Sequence, residues 1–221
     1  MPELAIVPIP NGQFAENCFL LADVASGEAV VVDPGEEPER FLAAIDARGW
    51  RVTAIWLTHA HVDHVAGVAR VKAGTRAPVW LHPLDRPMYD RVVQQGAWLG
   101  IPVEAQPAPD HALADGMVLR VGPHAFTVAH TPGHSPGSVI FVGDGLVIGG
   151  DVLFRGSIGR TDLPGGDLDT LLHSIRTRLL VLPDTTRVLC GHGPETTVGV
   201  ERLTNPFLRD GDAWRAEAGP A

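Results

Sequence analysis

The chain is built from short apolar runs rich in Val, Ile and Leu, broken by Gly, Pro and Asp. That rhythm predicts many short strands joined by tight turns. Ala5–Pro8, Cys18–Ala22 and Ala29–Asp33 read as an opening set of strands that ends in the turn Asp33-Pro34-Gly35. From Pro38 to Arg48 the apolar positions switch to helical spacing, with Phe41, Leu42 and Ile45 on one face and Gly49 as the stop. Thr53–Thr58 returns to strand. Val65–Ala73 then reads as a helix with Asp63 as its N-cap and Gly74 as its stop. Pro78–His82 is a further strand, and the chain from Pro83 onward reads as helical.

The Pro-rich stretch Gly100–Asp110 carries neither period and reads as a connection between two halves. A second strand series begins at Met117. It includes Ala125–His130, Ser138–Val142 and Leu146–Gly149, then a helix over Leu168–Leu180 and a closing strand at Arg187–Cys190. Strand clusters that carry a helix therefore recur in both halves. This predicts an α/β fold in which two mixed β-sheets stack face to face with helices outside, a four-layer αβ/βα sandwich. No literal repeat and no linker divides the chain, so residues 1–208 are expected to form one domain and 209–221 a frayed C-terminal tail.

Composition narrows the function classes. The 221 residues are 45% hydrophobic, enough for a sizeable core. The net charge of −9 argues against nucleic acid as a partner, which calls for a basic face. No stretch has the length and apolarity of a membrane span, and Met1-Pro2-Glu3-Leu4-Ala5 lacks the start of a signal peptide. Two cysteines, Cys18 and Cys190, are too few for a disulfide framework and read as buried thiols. A reducing, cytoplasmic setting is the expectation.

The chemistry sits in Thr58-His59-Ala60-His61-Val62-Asp63-His64, directly after the apolar run Ala54-Ile55-Trp56-Leu57. A strand that ends in three imidazoles and a carboxylate puts cation donors at the edge of its sheet. Three further donors follow at intervals of 70, 17 and 41 residues: His134 in Thr131-Pro132-Gly133-His134, Asp151 in Gly149-Gly150-Asp151, and His192 in Cys190-Gly191-His192-Gly193. Each stands where a β-rich run ends and glycine or proline turns the chain. Any one alone reads as an ordinary surface or packed residue; with the His59–His64 cluster, the set reads as a metal site. Five imidazoles and two carboxylates suit Zn²⁺, Fe²⁺ or Mn²⁺ without a thiolate.

The pattern His-x-His-x-Asp-His, followed by His134, Asp151 and His192, resembles the metallo-β-lactamase fold superfamily from about residue 14 to residue 208. Gly150-Asp151-Val152-Leu153-Phe154, Gly159-Arg160-Thr161-Asp162, Gly191–Thr197 and Glu201–Phe207 resemble its short bacterial glyoxalase II-like (hydroxyacylglutathione hydrolase-like) branch. The resemblance implies two divalent metals, zinc first and iron or manganese as alternatives. His59, His61 and His134 would hold the first, Asp63, His64 and His192 the second, and Asp151 would bridge them. It also implies hydrolysis of a small-molecule thioester such as S-lactoylglutathione by a metal-bridging hydroxide. Asp63 is the candidate catalytic carboxylate that orients it.

Two departures stand out. Glyoxalase II carries a helical C-terminal extension that helps hold glutathione, and no counterpart to it is expected within these 221 residues. The Lys-x-Tyr pair that follows the bridging Asp in that enzyme is Arg160 and Asp162 here. Arg160 is the candidate substrate-binding residue, and Asp162 would either repel a substrate carboxylate or lock Arg160 in an ion pair. The alternative on the same fold is a mononuclear-iron persulfide dioxygenase that uses only His59, His134 and Asp151. The remaining histidines, His82, His111, His124, His130 and His173, read as structural or exposed, with His130 near enough to His134 to support it.

Overall fold

A computed structural model of the chain describes residues 3–208; the expected tail at 209–221 lies outside the described residues. The first sheet contains β1 (Leu4–Asn11), β2 (Glu16–Asp23), β3 (Glu28–Val32), β4 (Arg51–Trp56), β5 (Val79–Leu81) and β6 (His111–Ala112), in that spatial order. In chain order there follow β7 (Val118–Val121), β8 (His124–His130), β9 (Val139–Gly143), β10 (Leu146–Gly150), the small hairpin β11 (Leu153–Phe154) with β12 (Ser157–Ile158), β13 (Arg187–Cys190) and β14 (Thr196–Thr197). The second sheet runs β14-β13-β10-β9-β8-β7. Both sheets are mixed: β3, β4, β5 and β6 pair in parallel, as do β10 and β13, and the other pairs are antiparallel.

Alternation along each strand explains the four layers. On β2, Phe19 and Leu21 face the second sheet while Cys18 and Leu20 face helices. On β10, Leu146 and Ile148 face the first sheet while Val147 faces helices on the other side. Between the sheets Trp56 meets Phe126 edge-on at 5.8 Å and Phe141 at 5.1 Å. Outside the first sheet lie α1 (Pro38–Asp46), α2 (Val62–Val65), α3 (Val68–Thr75), α4 (Arg86–Tyr89) and α5 (Val92–Leu99), which contribute Phe41, Val65, Val71, Tyr89 and Val92 to one core. Outside the second lie α6 (Leu168–Ser174), continued by a π-turn at Ile175–Leu179, and α7 (Val198–Thr204). Each fully buried Leu, Ile, Val or Phe of these three cores adds about 1.5–3 kcal/mol, so packing outweighs the weak propensity of such short elements.

The helix expected over Val65–Ala73 is two helices. The break at Ala66-Gly67 brings the Gly67 N–H to the Pro34 carbonyl at 2.9 Å, and a Cβ at Gly67 would sit 2.4 Å from the Gly35 oxygen. Asp63 is therefore not an N-cap. It lies inside α2, whose N-cap is His61, with no side-chain cap bond there. Gly74 does not stop α3 either, which continues to Thr75 and ends at Arg76 in the left-handed region (φ 62°). The Gly100–Asp110 stretch crosses the first helical layer. Gln106 Oε1 accepts from Ala69 N and the Tyr89 hydroxyl donates to the Pro107 carbonyl. Among the described residues, no helix is long and apolar enough to cross a membrane.

Candidate metal centre

All seven predicted donors lie at one end of the sandwich. They follow the C-terminal ends of β4 (His59, His61, Asp63, His64), β8 (His134), β10 (Asp151) and β13 (His192). The open ends of parallel strands are where loops from different strands converge. Glycines make that convergence possible. The register between β10 and β13 shifts near Gly150, which has φ 47° and lies so close to Thr58 that a Cβ would come within 2.4 Å of its hydroxyl. At Gly191 a Cβ would meet Asp151 Oδ1 at 2.2 Å.

The donors fall into two groups. In the first, His134 Nε2 lies 3.2 Å from His59 Nε2 and 2.8 Å from His61 Nδ1. In the second, His192 Nε2 lies 3.3 Å from both His64 Nε2 and Asp63 Oδ2. Asp151 reaches both: Oδ2 is 3.6 Å from His134 Nε2 and 3.4 Å from His192 Nε2, while Oδ1 is 3.3 Å from His64 Nε2.

Groups behind the donors aim them. The His134 Nδ1–H donates to the Arg160 carbonyl at 2.8 Å, and the His192 Nδ1–H to the Phe14 carbonyl at 2.9 Å. The His64 Nδ1–H donates to Asp33 Oδ2 at 3.1 Å. The same carboxylate takes the Thr58 hydroxyl at 2.5 Å and the Thr58 N–H at 2.7 Å, and this leaves the Thr58 oxygen to accept from His59 Nδ1 at 3.0 Å. Four imidazoles thus turn Nε2 inward with the tautomer set from outside. Around a tetrahedral cation with bonds of about 2.0–2.1 Å, donor atoms lie about 3.3 Å apart. In the first group the inward ring nitrogens of His59, His61 and His134 stand near that spacing, converging as the ligands of one shared cation would. The donor set fits divalent cations.

Charge differs between the groups. Burial, reinforced by the neighbouring imidazoles, holds His59 well below the usual histidine value and His61 at about 3. Burial also opposes charge on His64 and His192, but the carboxylates of Asp151, Asp63 and Asp33 outweigh it: His64 rises well above the usual value and His192 to about 10. Asp63 and Asp151 are likewise pushed up by burial, yet the imidazoles of His64 and His192 prevail and hold both low.

Arg160 does not join the seven donors. Its guanidinium is 60% exposed and makes a bidentate pair with Asp162, two bonds of 2.7 Å, which lowers Asp162 to about 2. Only its backbone touches the centre, through His134. His130 Nε2 donates to the Pro136 carbonyl at 2.9 Å, beneath the His134 loop, and its ring stacks on His82 at 4.3 Å. His124 is buried between Asp144 and Asp23 at the far end of β2, away from the donors. Burial pushes the Cys190 thiol up to about 12 and the Cys18 thiol well above its usual value.

Sequence reasoning missed Asp33, Thr58, Glu16, Asn17 and Asp85. Asp33-Pro34-Gly35 was legible only as a turn. Glu16 is fully buried with Oε1 3.7 Å from His64 Nδ1. Asn17 grips the His192 loop, its N–H donating to the Gly191 carbonyl at 2.7 Å and its side-chain amide to Cys190 and Gly193 carbonyls at 3.0 and 2.8 Å.

A family model described as the metallo-beta-lactamase superfamily matches residues 11–192. The hydroxyacylglutathione hydrolase GloC of Haemophilus influenzae is 37% identical over 204 residues, 90% of this chain and 96% of that protein. Among solved structures, the BLEG-1 B3 metallo-beta-lactamase superposes with a TM-score of 0.88 at 40% identity, covering 93% of this chain and 100% of that one. The di-iron-bound form of TTHA1623 superposes with a TM-score of 0.85 at 45% identity, covering 91% of this chain and 100% of that one.

Proposed function

The chain belongs to the metallo-beta-lactamase superfamily as a metal-dependent hydrolase, and from that premise we propose that it cleaves a small glutathione-derived thioester, with S-lactoylglutathione as the model substrate, in the cytoplasm. The His-rich site on this fold implies divalent metals. The observation that carries the reading is the position of Asp151 between two complete donor groups. A mononuclear triad of His59, His134 and Asp151 has no use for His61, Asp63, His64 and His192, yet all four converge at the same place. Similarity to GloC along nearly its whole length supports the thioester substrate.

His59, His61 and His134 would hold one cation, and Asp63, His64 and His192 the other, with Asp151 shared. Bound there, such a pair supplies Lewis acidity and a lowered pKa for water. The chain's own residues do the rest. Asp63, partly open to solvent beside His192, would orient the attacking hydroxide. Oxygen adds to the acyl carbon, the carbon–sulfur bond breaks, and the leaving thiolate takes a proton from solvent. Phe154, whose ring stands edge-on to His192 at 6.0 Å, forms an apolar wall for the acyl group. Arg160 receives an anionic end of the substrate by exchanging its Asp162 partner.

The test is parallel turnover of S-lactoylglutathione, a β-lactam and glutathione persulfide with oxygen. Preferred hydrolysis of the thioester, lost together with metal in Asp151→Ala, supports the reading. Preferred β-lactam cleavage, or oxygen uptake with persulfide, replaces it.

A further inference from the structure

We propose that Asp85 is the positioning residue of the first cation: it fastens the loop that carries His59 and His61 to the loop that carries His134. The inference rests on the reading of those three imidazoles as one cation's ligands, and it is independent of the substrate.

Asp85 closes a 3₁₀ turn, Pro83–Asp85, just after β5, and it is fully buried. It touches none of the seven donors' side chains in a hydrogen bond. Instead its Oδ2 accepts from the Ala60 N–H at 3.0 Å and from the Ser135 hydroxyl at 2.8 Å, and its Oδ1 accepts from the Gly137 N–H at 2.6 Å. Ala60 stands between His59 and His61, and Ser135 follows His134. One carboxylate thus joins a loop of the first sheet to a loop of the second, each within one residue of a donor. The approach is close enough that a Cβ at Gly137 would lie 2.6 Å from the Asp85 backbone nitrogen and 2.7 Å from Oδ1.

A buried carboxylate is costly, and an apolar side chain of similar size would fill the space more cheaply if packing were its only task. Burial does push the Asp85 carboxyl up, and the bonds from Ser135, Gly137 and Ala60 oppose that rise. What the carboxylate adds is a fixed spacing between two backbones. The first group needs that spacing, because His134 reaches His59 and His61 across the gap between the sheets. The second group has separate supports: Asp33 behind His64, and Asn17 with the Phe14 carbonyl behind His192. Loss of Asp85 should therefore weaken one cation position and spare the other.

The experiment reads Co²⁺ affinity by visible absorption in two backgrounds of the full chain. His192→Ala leaves His59, His61 and His134 intact; His61→Ala leaves Asp63, His64 and His192 intact. Asp85→Asn breaks at least one of the three bonds, since its amide nitrogen then faces either the Gly137 N–H or the Ala60 N–H together with the Ser135 hydroxyl. In the first background it is expected to weaken Co²⁺ by about tenfold or more, as outer partners of metal ligands do. In the second background it should leave affinity unchanged. Asn17→Ala, a comparable clamp elsewhere, should spare the first background. Equal weakening in both backgrounds, weakening in neither, or an equal loss from Asn17→Ala in the first background overturns the proposal. Should Asp85→Asn fail to fold, Ser135→Ala decides: it deletes one bond and leaves the carboxylate, and only a selective loss in the first background supports the role. A chain that shows this split yet ignores S-lactoylglutathione keeps the inference and loses the thioester reading.

Discussion

Asp33 Oδ2 lies 3.1 Å from His64 Nδ1, and the same oxygen takes the Thr58 hydroxyl at 2.5 Å. One carboxylate therefore fixes the tautomer of His64 directly and that of His59 through Thr58. Asp33→Ala strands the Thr58 N–H and the His64 N–H in a buried site, at about 1–3 kcal/mol for each unmade bond. Urea melts should show that loss, and cation affinity should fall about 10–100-fold. Asp33→Asn keeps part of the bonding and suits the positive φ of 50° at this position, so its effect should be smaller. Unchanged affinity in Asp33→Ala would remove Asp33 from the account.

Metal loading should release protons unevenly. In the metal-free chain His59 and His61 sit well below the usual histidine value and are neutral at pH 7, whereas His64 and His192 sit above it and are charged. A cation among Asp63, His64 and His192 displaces protons from both imidazoles; one between His59 and His61 displaces none from that pair. Affinity of the second group should therefore climb as pH rises toward about 10, the value for His192. The sign for the metal-free fold is the opposite. The His192 pairing with Asp151 and Asp63 contributes fully below the ordinary value of 6.5 and is lost as pH rises through about 10. Calorimetric titration in buffers of different ionisation enthalpy counts the protons, and a zero count contradicts the charge assignment.

Gly191 is required by space alone, since its φ is not positive. A methyl group there would meet Asp151 Oδ1 at 2.2 Å and His64 Cε1 at 2.9 Å. Gly191→Ala should displace the shared carboxylate and cut loading of both cation positions, while the buried cores between and outside the sheets keep the chain folded. Circular dichroism with elemental analysis separates those effects. Full loading in this variant is the result that would count against the placement of Asp151.

Arg160 gives a kinetic prediction. Its bidentate pairing with Asp162 is exposed on both sides and is worth little to stability. Arg160→Ala should raise KM for an anionic thioester severalfold and leave the melting temperature in place, because the backbone carbonyl that orients His134 remains. A lowered melting temperature with unchanged KM assigns the side chain a structural role instead.

The seven candidate donors were legible because three imidazoles and a carboxylate fall within six positions after one strand-like run, and because His134, Asp151 and His192 each follow a β-rich run directly after a glycine. The two sheets were legible from short continuous apolar runs broken by Gly, Pro and Asp, as on β2 and β10. Asp33, Asn17 and Asp85 were not, because each sits in an ordinary turn or strand and acts on a loop distant in sequence: Asp85 on Ser135, Asn17 on Gly193. The split of α2 from α3 was hidden for the same reason. Local periodicity runs through Gly67, and only the approach of Pro34 and Gly35 shows why a glycine must break the helix there. The short strands β6, β11, β12 and β14 and helix α7 carry too few apolar positions for a period to register.

Elemental analysis of the purified chain, with S-lactoylglutathione turnover measured on the same sample, bears most directly on the paired site. About two equivalents of divalent metal per chain are expected, with hydrolysis that vanishes when Asp151 is replaced by alanine. A single iron per chain, with oxygen consumed in the presence of glutathione persulfide and the thioester left intact, would contradict that expectation.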